Sequence, residues 1–308
     1  MAPAATGSPP DILPKVVTLL VMKLIRCGRP DHEVPAVLDP DGTRRDVSAF
    51  TADFDRGFFA RGGIPLLQEW YAQQREHCPI IVPEERLGCP VALPPFMLCV
   101  GLNYADHAAE TGAKLPTEPV LFGKASSAVC GPHDPIFLPP GSTHLDYEVE
   151  LGLVIGTTVR HFTVAQATTA IAGYLLINDV SERHYQKERG GQWIKGKSYD
   201  HFAPAGPWLA SADELGDVSK LALQLRVNGE LRQNGSTGNM LFSPAQIVAY
   251  ASQFMTLVPG MIISTGTPAG VAMGMKPEPR YLAVGDRLEL SVTGLGSHLC
   301  NVVPSPYG

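Results

Sequence analysis

Residues 146–155 place two glutamates one residue apart in an otherwise apolar β-strand pattern. Successive side chains of a strand point to opposite faces, and the rise is about 3.3 Å per residue, so Glu148 and Glu150 share one face about 6.6 Å apart along the backbone. The opposite face carries Tyr147, Val149, Leu151 and Leu153. The pattern predicts a strand of a packed sheet, whose two carboxylates repel unless water or a cation separates them.

The acid pair admits two interpretations. A half-buried strand with a solvated acidic face is the ordinary one for such an alternation. The next apolar run, residues 173–179, favours the other, because it predicts a buried strand that ends in a third carboxylate, Asp179. Three hard oxygen donors at strands and strand ends suit Mg²⁺, Mn²⁺ or Ca²⁺ rather than zinc.

Composition restricts the class of protein. The chain has 308 residues, of which 44% are hydrophobic and 18% charged, so it is long enough for one large folded domain and a smaller one. Its net charge is −6 and it has no long Lys/Arg run, which argues against a nucleic-acid partner. The apolar run that ends at Lys23 is too short to span a membrane. Six scattered cysteines without a C-x-x-C pair are typical of reduced thiols in a cytoplasmic protein.

Three regions follow along the chain. Residues 1–14 are rich in Ala, Pro and Gly, and residues 1–21 are predicted to be a disordered extension. Residues 22–95 contain short strands, turns and a helix near 64–75, and they end in a Pro-rich segment, which predicts a small N-terminal α+β domain. Residues 96–308 are predicted to form a strand-rich catalytic domain. Its expected elements are strands at 96–101, 148–156, 171–179, 222–228 and 286–293, and a helix at 243–256 capped by Ser243.

A short helix is predicted after Gly101, with Asn103 as its N-cap and Gly112 as its stop. His107 and Glu110 lie three residues apart and therefore on one face of this helix. A carboxylate that accepts from one ring nitrogen fixes the tautomer and makes the other nitrogen a better base. The ordinary alternative is a solvated helix surface.

A second polar stripe follows the third carboxylate. If a helix begins at Asp179, then Arg183 and Gln186 lie on the same face as Asp179. A metal ligand, a guanidinium and an amide would then face one site, whereas an ordinary polar helix face is the competing interpretation.

Residues 187–198 form a glycine-rich basic loop that ends in Gly-Lys-Ser. The spacing from Gly191 to Gly196 satisfies the frame of a phosphate-binding loop, but no apolar strand precedes it, so nucleotide binding is rejected. A lysine placed near metal-bound oxyanions is the better interpretation of Lys197.

Residues 264–270 follow an apolar strand and form a turn of hydroxyl-bearing and small residues. Hydroxyls and free amides in such a turn can hold a carboxylate. A plain structural turn is an equally good interpretation.

Five motifs together, in this order, closely resemble the fumarylacetoacetate hydrolase family: GLNYADH at 101–107, YEVEL at 147–151, NDVSER at 178–183, GKS at 196–198 and STGTP at 264–268. The resemblance covers about residues 96–303, and residues 22–95 look like the variable cap of that family. It implies an α+β fold, with a mixed β-roll of the fumarylacetoacetate hydrolase type. ERGGQW at 188–193 and QNGST at 233–237 are most similar to the bacterial branch that acts on 2,4-diketo-3-deoxy sugar acids, often labelled ureidoglycolate lyase.

The resemblance also implies roles for individual residues. By it, the metal ligands for Mg²⁺ or Mn²⁺, or for Ca²⁺ in crystals, are Glu148, Glu150 and Asp179. The catalytic residues are His107, Glu110 and Lys197. The substrate-binding residues are Arg183, Gln186, Tyr104 and Thr267. Some members supply a further aspartate ligand, but residues 96–103 contain no acid, so water would complete the metal shell.

The activity that the resemblance implies is metal-dependent cleavage of a carbon–carbon bond, of the EC 3.7.1 type. A 2,4-dioxo acid, either an acylpyruvate or a 2,4-diketo-3-deoxy sugar acid, would give pyruvate and a second acid. The same site could serve an oxaloacetate decarboxylase, an enol–keto isomerase or a ureidoglycolate lyase. A non-enzymatic metal-binding protein is disfavoured because every matching polar position is intact. The expected partners are a small 2-oxo acid and a second copy of the chain in a homodimer.

Overall fold

The computed structural model describes residues 22–307, so the predicted extension at 1–21 lies outside the described residues. Nineteen strands dominate this part of the chain. They are β1 Lys23–Cys27, β2 Val34–Leu38, β3 Arg44–Asp46, β4 Ile80–Ile81, β5 Leu87–Gly88, β6 Met97–Gly101, β7 Val120–Lys124, β8 Val129–Cys130, β9 Ile136–Leu138, β10 Leu145–Asp146, β11 Val149–Ile155, β12 Ile171–Asn178, β13 Ser181–Glu182, β14 Ala203–Ser211, β15 Ala222–Val227, β16 Glu230–Ser236, β17 Ile262–Ser264, β18 Arg287–Val292 and β19 Gly296–Pro304.

The helices are short and lie between the strands. They are α1 Arg56–Ala60, α2 Gly63–Gln74, α3 Ala105–Glu110, α4 Val164–Thr169, α5 Arg183–Lys187, α6 Ile194–Lys197, α7 Ala212–Leu215 and α8 Pro244–Phe254. Single 3₁₀ turns occur at Arg75–His77, Ser126–Ala128, Val218–Lys220, Thr237–Asn239 and Ala272–Gly274. In residues 22–307 we find no helix with the length and apolar content needed to span a bilayer.

Three sheets organise the molecule. The largest has twelve strands in the order β4-β3-β2-β1-β14-β12-β11-β17-β6-β7, with β5 added to β1 and β8 to β14. Its pairs are antiparallel except β17–β6 and β14–β8. A second sheet has the order β16-β15-β18-β19-β9, and β10 pairs with β13. Mixed sheets with few helices confirm the predicted strand-rich α+β fold.

The N-terminal segment shares the large sheet. Lys23 and Leu24 of β1 pair with Ala210 and Leu209 of β14, so residues 22–95 add strands to the sheet that residues 96–308 form. Apolar side chains from both regions also belong to one buried core. The division at residue 95 stays a prediction.

Strand register brings the polar motifs to one edge of the large sheet. Val149 at the start of β11 pairs with Asn178 at the end of β12. Gly152 of β11 pairs with Ser264, where β17 ends. Because β6 runs parallel to β17, β6 ends at the same edge and leads there into α3. Residues far apart in sequence therefore converge where these four strands meet.

The predicted strands and long helices are confirmed with shifts of one or two residues at their ends. Two predicted helix starts are wrong. Asp179 is not helical, because Ser181 of β13 pairs with Asp146 of β10. The Glu182 carboxylate then caps α5 by accepting from the Tyr185 N–H. Tyr104, not Asn103, occupies the N-cap of α3. The buried Asn103 amide instead donates to the carbonyls of Phe242 and Thr265.

Candidate metal and catalytic site

A cavity of about 220 Å³ opens at this edge of the sheet. Eight of the ten predicted site residues line it: His107, Glu148, Glu150, Asp179, Arg183, Gln186, Lys197 and Thr267. Glu110 lies behind His107. Tyr104 is fully buried outside the cavity lining, and its hydroxyl has no hydrogen-bond partner among the described residues.

Three carboxylates form the inner end of the cavity. One oxygen from each of Glu148, Glu150 and Asp179 lies within 4.8 Å of the others, and all three residues are buried. Glu150 lies in β11 and Glu148 directly precedes that strand, and the backbone N–H of Asp179 donates to the Glu148 carbonyl at 2.9 Å. The interpretation of a solvated acidic face is therefore wrong. Three convergent carboxylate oxygens are a donor set that a hard divalent cation can use.

Two buried lysines contact the cluster. The Lys197 ammonium lies 2.6 Å from Glu148 Oε2 and 2.7 Å from Asp179 Oδ2 and therefore bridges two predicted ligands. The Lys124 ammonium donates to Asp179 Oδ1 at 2.5 Å and to the Val180 carbonyl at 2.9 Å. Lys124 was not predicted from the sequence as a site residue. It ends the short apolar strand β7, and its partner Asp179, which follows β12, is brought to it only by the tertiary fold.

Arg183 joins the cluster from the first turn of α5. Its Nε donates to Asp146 Oδ2 at 2.8 Å, its Nη2 to Glu148 Oε1 at 2.7 Å, and its Nη1 to Gln186 Oε1 at 3.0 Å. Arg183 and Gln186 thus face the site as predicted, although Asp179 reaches it from a strand end. Asp146 was also missed, even though it continues the alternation of Glu148 and Glu150 by one step.

The charges of the cluster do not cancel. Asp146, Glu148, Glu150 and Asp179 are opposed by three cations, Lys124, Arg183 and Lys197. Burial opposes ionisation of Glu148, but Arg183 and Lys197 outweigh it and lower its pKa. Burial, and then the charges of Asp179 and Glu148, raise the pKa of Glu150 well above its ordinary value. A bound cation would relieve this excess of negative charge, so the residues present fit a divalent metal.

The predicted His–Glu pair is formed on α3. His107 Nδ1 lies 2.8 Å from Glu110 Oε1, and the imidazole is buried at the cavity wall. Glu110 Oε2 in turn accepts from the Gly270 N–H at 2.8 Å. Glu110 is therefore fixed at both oxygens and positions the ring. The alternative of a solvated helix surface is wrong for His107.

The turn at 264–270 does hold carboxylates, but they belong to the protein. The Ser264 hydroxyl and the Gly266 N–H donate to Glu150 Oε2 at 2.5 and 2.8 Å. The Thr267 hydroxyl donates to the Val149 carbonyl at 2.9 Å. It also accepts from the amide of Gln233, a residue that sequence reasoning missed. The turn thus fixes the positions of two carboxylates: Glu150, a predicted metal ligand, and Glu110, which orients His107.

Comparison with known proteins places this geometry in context. The family described as fumarylacetoacetate (FAA) hydrolase C-terminal matches residues 97–303. A protein from Burkholderia multivorans is 48% identical over 278 residues, which cover 90% of this chain and 98% of that protein. Its name describes it provisionally as a hydrolase and states no substrate.

Solved structures share the fold. A fumarylacetoacetate hydrolase from the psychrophile Exiguobacterium antarcticum is 39% identical, with a TM-score of 0.79, over 92% of this chain and 100% of that one. A maleylpyruvate hydrolase from Sphingobium sp. SYK-6, solved with manganese(II) and pyruvate, is 28% identical, with a TM-score of 0.76 and the same coverage.

Proposed function

Because the chain belongs to the fumarylacetoacetate hydrolase family, we propose that it hydrolyses a carbon–carbon bond in a 2,4-dioxo acid. The substrate would be an acylpyruvate or a 2,4-diketo-3-deoxy sugar acid, and the products pyruvate and a second acid. One observation carries the proposal: a single cavity sets the His107–Glu110 pair beside a buried cluster of three carboxylates. The manganese and pyruvate in the related maleylpyruvate hydrolase support it.

We assign the metal to Glu148, Glu150 and Asp179, and Mg²⁺ or Mn²⁺ is the expected ion. A divalent ion at this position supplies Lewis acidity, which stabilises negative charge on the oxygens of a dioxo acid. Arg183 and Lys197 hold Glu148 in place for this role.

His107 is the proposed general base. Since Nδ1–H is donated to Glu110, Nε2 is the nitrogen left to accept a proton. It would take the proton of a water molecule that attacks the distal carbonyl of the substrate. The bond between C3 and C4 then breaks, C3 gains a proton to give pyruvate, and the acyl carbon leaves as the second acid.

Four further side chains are proposed to bind the 2-oxo acid and the developing oxyanion. The ammonium of Lys197 and the guanidinium of Arg183 supply positive charge at the cavity wall. Arg183 donates to the oxygen of Gln186, which leaves the Gln186 amide N–H groups for the substrate. Thr267 lines the same cavity.

A decarboxylase of oxaloacetate, an enol–keto isomerase and a ureidoglycolate lyase remain alternatives within this cavity. They differ from the hydrolase in whether water is delivered to a carbonyl carbon. The test is a screen of 2,4-dioxo acids, oxaloacetate and ureidoglycolate with Mg²⁺ or Mn²⁺, in which pyruvate and CO₂ are measured side by side.

The screen needs a metal control and a matched variant. We expect an excess of chelator to abolish turnover and added Mn²⁺ to restore it. Glu148→Gln should bind metal weakly, whereas Glu84→Gln, at an exposed position, should behave as wild type. Full turnover in chelator, or no turnover of any 2,4-dioxo acid, would contradict the proposal.

We further propose that the protein acts in the cytoplasm as a homodimer. All six cysteines are unpaired, buried thiols, which suits a reducing compartment. Among large apolar side chains, Leu93 is 87% exposed and Phe254 61% exposed, and a partner subunit could cover such groups.

A further inference from the structure

The rest of the cavity lining differs in chemistry from the acidic cluster. Most of the side chains there are apolar or absent: Val100, Gly101, Leu102, Ala113, Phe122, Trp193 and Met273. Thr111 also lines this region, but its hydroxyl donates to the His107 carbonyl. The wall therefore has few free groups for a polar substrate chain.

Trp193 packs closely against two other residues of this wall. Its indole meets the Phe122 ring edge-on, with a centroid separation of 5.1 Å. A Cβ atom on Gly101 would lie 2.7 Å from Trp193 Cζ3, so only glycine lets the indole pack on this strand end. The Lys197 ammonium lies 5.0 Å from the Phe122 ring centroid. The apolar wall thus begins directly beside the charged cluster.

Among the described residues, Lys187 is the one Lys or Arg of the lining that forms no ion pair with a carboxylate. It is the last residue of α5, four positions after Arg183, so both lie on the same face of that helix. Arg183 and Lys197 are each held by two carboxylates. Within residues 22–307, the Lys187 ammonium has no hydrogen-bond partner and no carboxylate at ion-pair distance, and the nearest charges that act on it are those of Arg183, Glu148 and Asp146. Its side chain lines the cavity and is also exposed to solvent, which places it at the mouth.

We propose that Lys187 binds a second, distal carboxylate of the substrate, which makes dianionic 2,4-dioxo acids with an unsubstituted carbon chain the preferred class. The inference rests on the proposed function, because the first carboxylate must be held at the inner end. An apolar wall favours a plain carbon chain. A polyhydroxylated sugar-acid chain would lose hydrogen bonds to water against that wall. A neutral acyl chain would leave the ammonium without a partner.

The test measures binding rather than turnover. 2-Oxoheptanedioate and 2-oxoheptanoate have the same chain length, differ only in the distal carboxylate, and lack the 4-oxo group that hydrolysis requires. Calorimetric titration of the Mn²⁺-supplemented enzyme should give at least about tenfold tighter binding of the diacid. Lys187→Met should bring the ratio of the two affinities near one without changing the affinity for the monoacid. Lys187→Glu should reverse the preference.

Lys195→Met is the matched control. Its ammonium donates to the Arg189 carbonyl outside the cavity, so the ratio should stay at the wild-type value. Three outcomes would overturn the role of Lys187. They are equal wild-type affinity for both acids, an unchanged affinity ratio in Lys187→Met, and binding of neither acid. If no dioxo acid is cleaved but the ratio behaves as described, the hydrolase proposal fails while the distal carboxylate site stands.

Discussion

Glu148 and Glu150 lie two residues apart in the chain, yet their contacts shift their pKa values in opposite directions. Glu148 accepts from Arg183 and Lys197, whereas Glu150 accepts from a hydroxyl and a backbone amide at the turn that begins at Ser264. The pKa of Glu148 is therefore lowered and that of Glu150 is raised. Removing the charge of either residue should accordingly have opposite effects on the metal-free protein.

We expect Glu150→Gln to raise the metal-free free energy of unfolding by about 1–3 kcal/mol, because it removes a buried charge that no cation contacts. Glu148→Gln should lower it by about 3–5 kcal/mol, because it leaves Arg183 and Lys197 short of a partner. Thermal unfolding in excess chelator measures both. A lower midpoint for Glu150→Gln together with a higher one for Glu148→Gln would contradict this account. Both variants should bind Mn²⁺ more weakly than wild type.

The roles of His107 and Glu110 can be separated by kinetics. His107→Ala should lower kcat by about 10²–10⁴-fold, the usual effect of losing a general base, with little change in Mn²⁺ affinity. Glu110→Gln should be less damaged, since a glutamine oxygen can still accept from Nδ1. The measurement uses the best substrate of the screen.

Pyruvate and CO₂ release distinguish the mechanisms in that comparison. Undiminished pyruvate release in His107→Ala would rule out the hydrolase mechanism. In a decarboxylase, the bond-breaking step consumes no attacking water, so loss of Lys197 or Glu148 should be more damaging than loss of His107.

Which site residues could be predicted depended on how local their signal is. Glu148 and Glu150 could be predicted from the alternation of a strand pattern. His107 and Glu110 could be predicted from their helical spacing. Lys124 and Gln233 carry no such signal, because their partners, Asp179 and Thr267, are brought to them only by the fold. Lys187 was likewise assigned only to a basic loop.

At the scale of elements, helices with local start signals were predicted well. Ser243 accepts from the Gln246 N–H, and the Gln246 side chain accepts from the Ser243 N–H, so α8 begins with a complete capping box. The starts of α3 and α5 were misplaced because tertiary contacts claim the residues involved. Asn103 binds two distant carbonyls, and Ser181 pairs with β10.

The capping box of α8 gives a prediction that is independent of the active site. Ser243→Ala should lower the free energy of unfolding by about 1 kcal/mol, because an N–H of the first turn loses its acceptor. The value of kcat/KM should not change, since no residue of α8 lines the cavity. Urea titration with parallel kinetics is the measurement, and Thr163→Ala at the capping box of α4 should behave alike. A loss of kcat/KM with unchanged stability would refute this separation.

At the scale of the whole molecule, the homodimer is tested by light scattering coupled to size-exclusion chromatography. A two-fold interface between two copies of the chain would cover exposed apolar side chains such as Leu93 and Phe254. We expect twice the chain mass of 33.0 kDa at micromolar concentration. A mass near that of one chain would contradict the prediction. Leu93→Ser and Phe254→Ser, tested separately, should show which surface is covered.

His298 links the stability of the whole fold to pH. It lies in β19 and is buried, and its Nε2 is 2.9 Å from the Gly206 carbonyl. Burial, reinforced by the charge of His133, lowers the pKa of His298 to about 3. In the unfolded chain the ordinary value is 6.5. The unfolded state therefore binds more protons between these two values, and stability is lost as the pH falls from about 6.5 towards 3.

We expect protonation of His298 in the unfolded state to lower the free energy of unfolding by about 2 kcal/mol when the pH falls from 7.5 to 5. The figure follows from about 1.36 kcal/mol per pKa unit. His298→Gln keeps a donor for the Gly206 carbonyl but cannot be protonated, so its loss of stability over that interval should be smaller by about that amount. The free energies come from urea titrations at both pH values, with His77→Gln at an exposed position as the control. Equal pH dependence in wild type and His298→Gln would show that protonation of this buried imidazole does not limit acid stability.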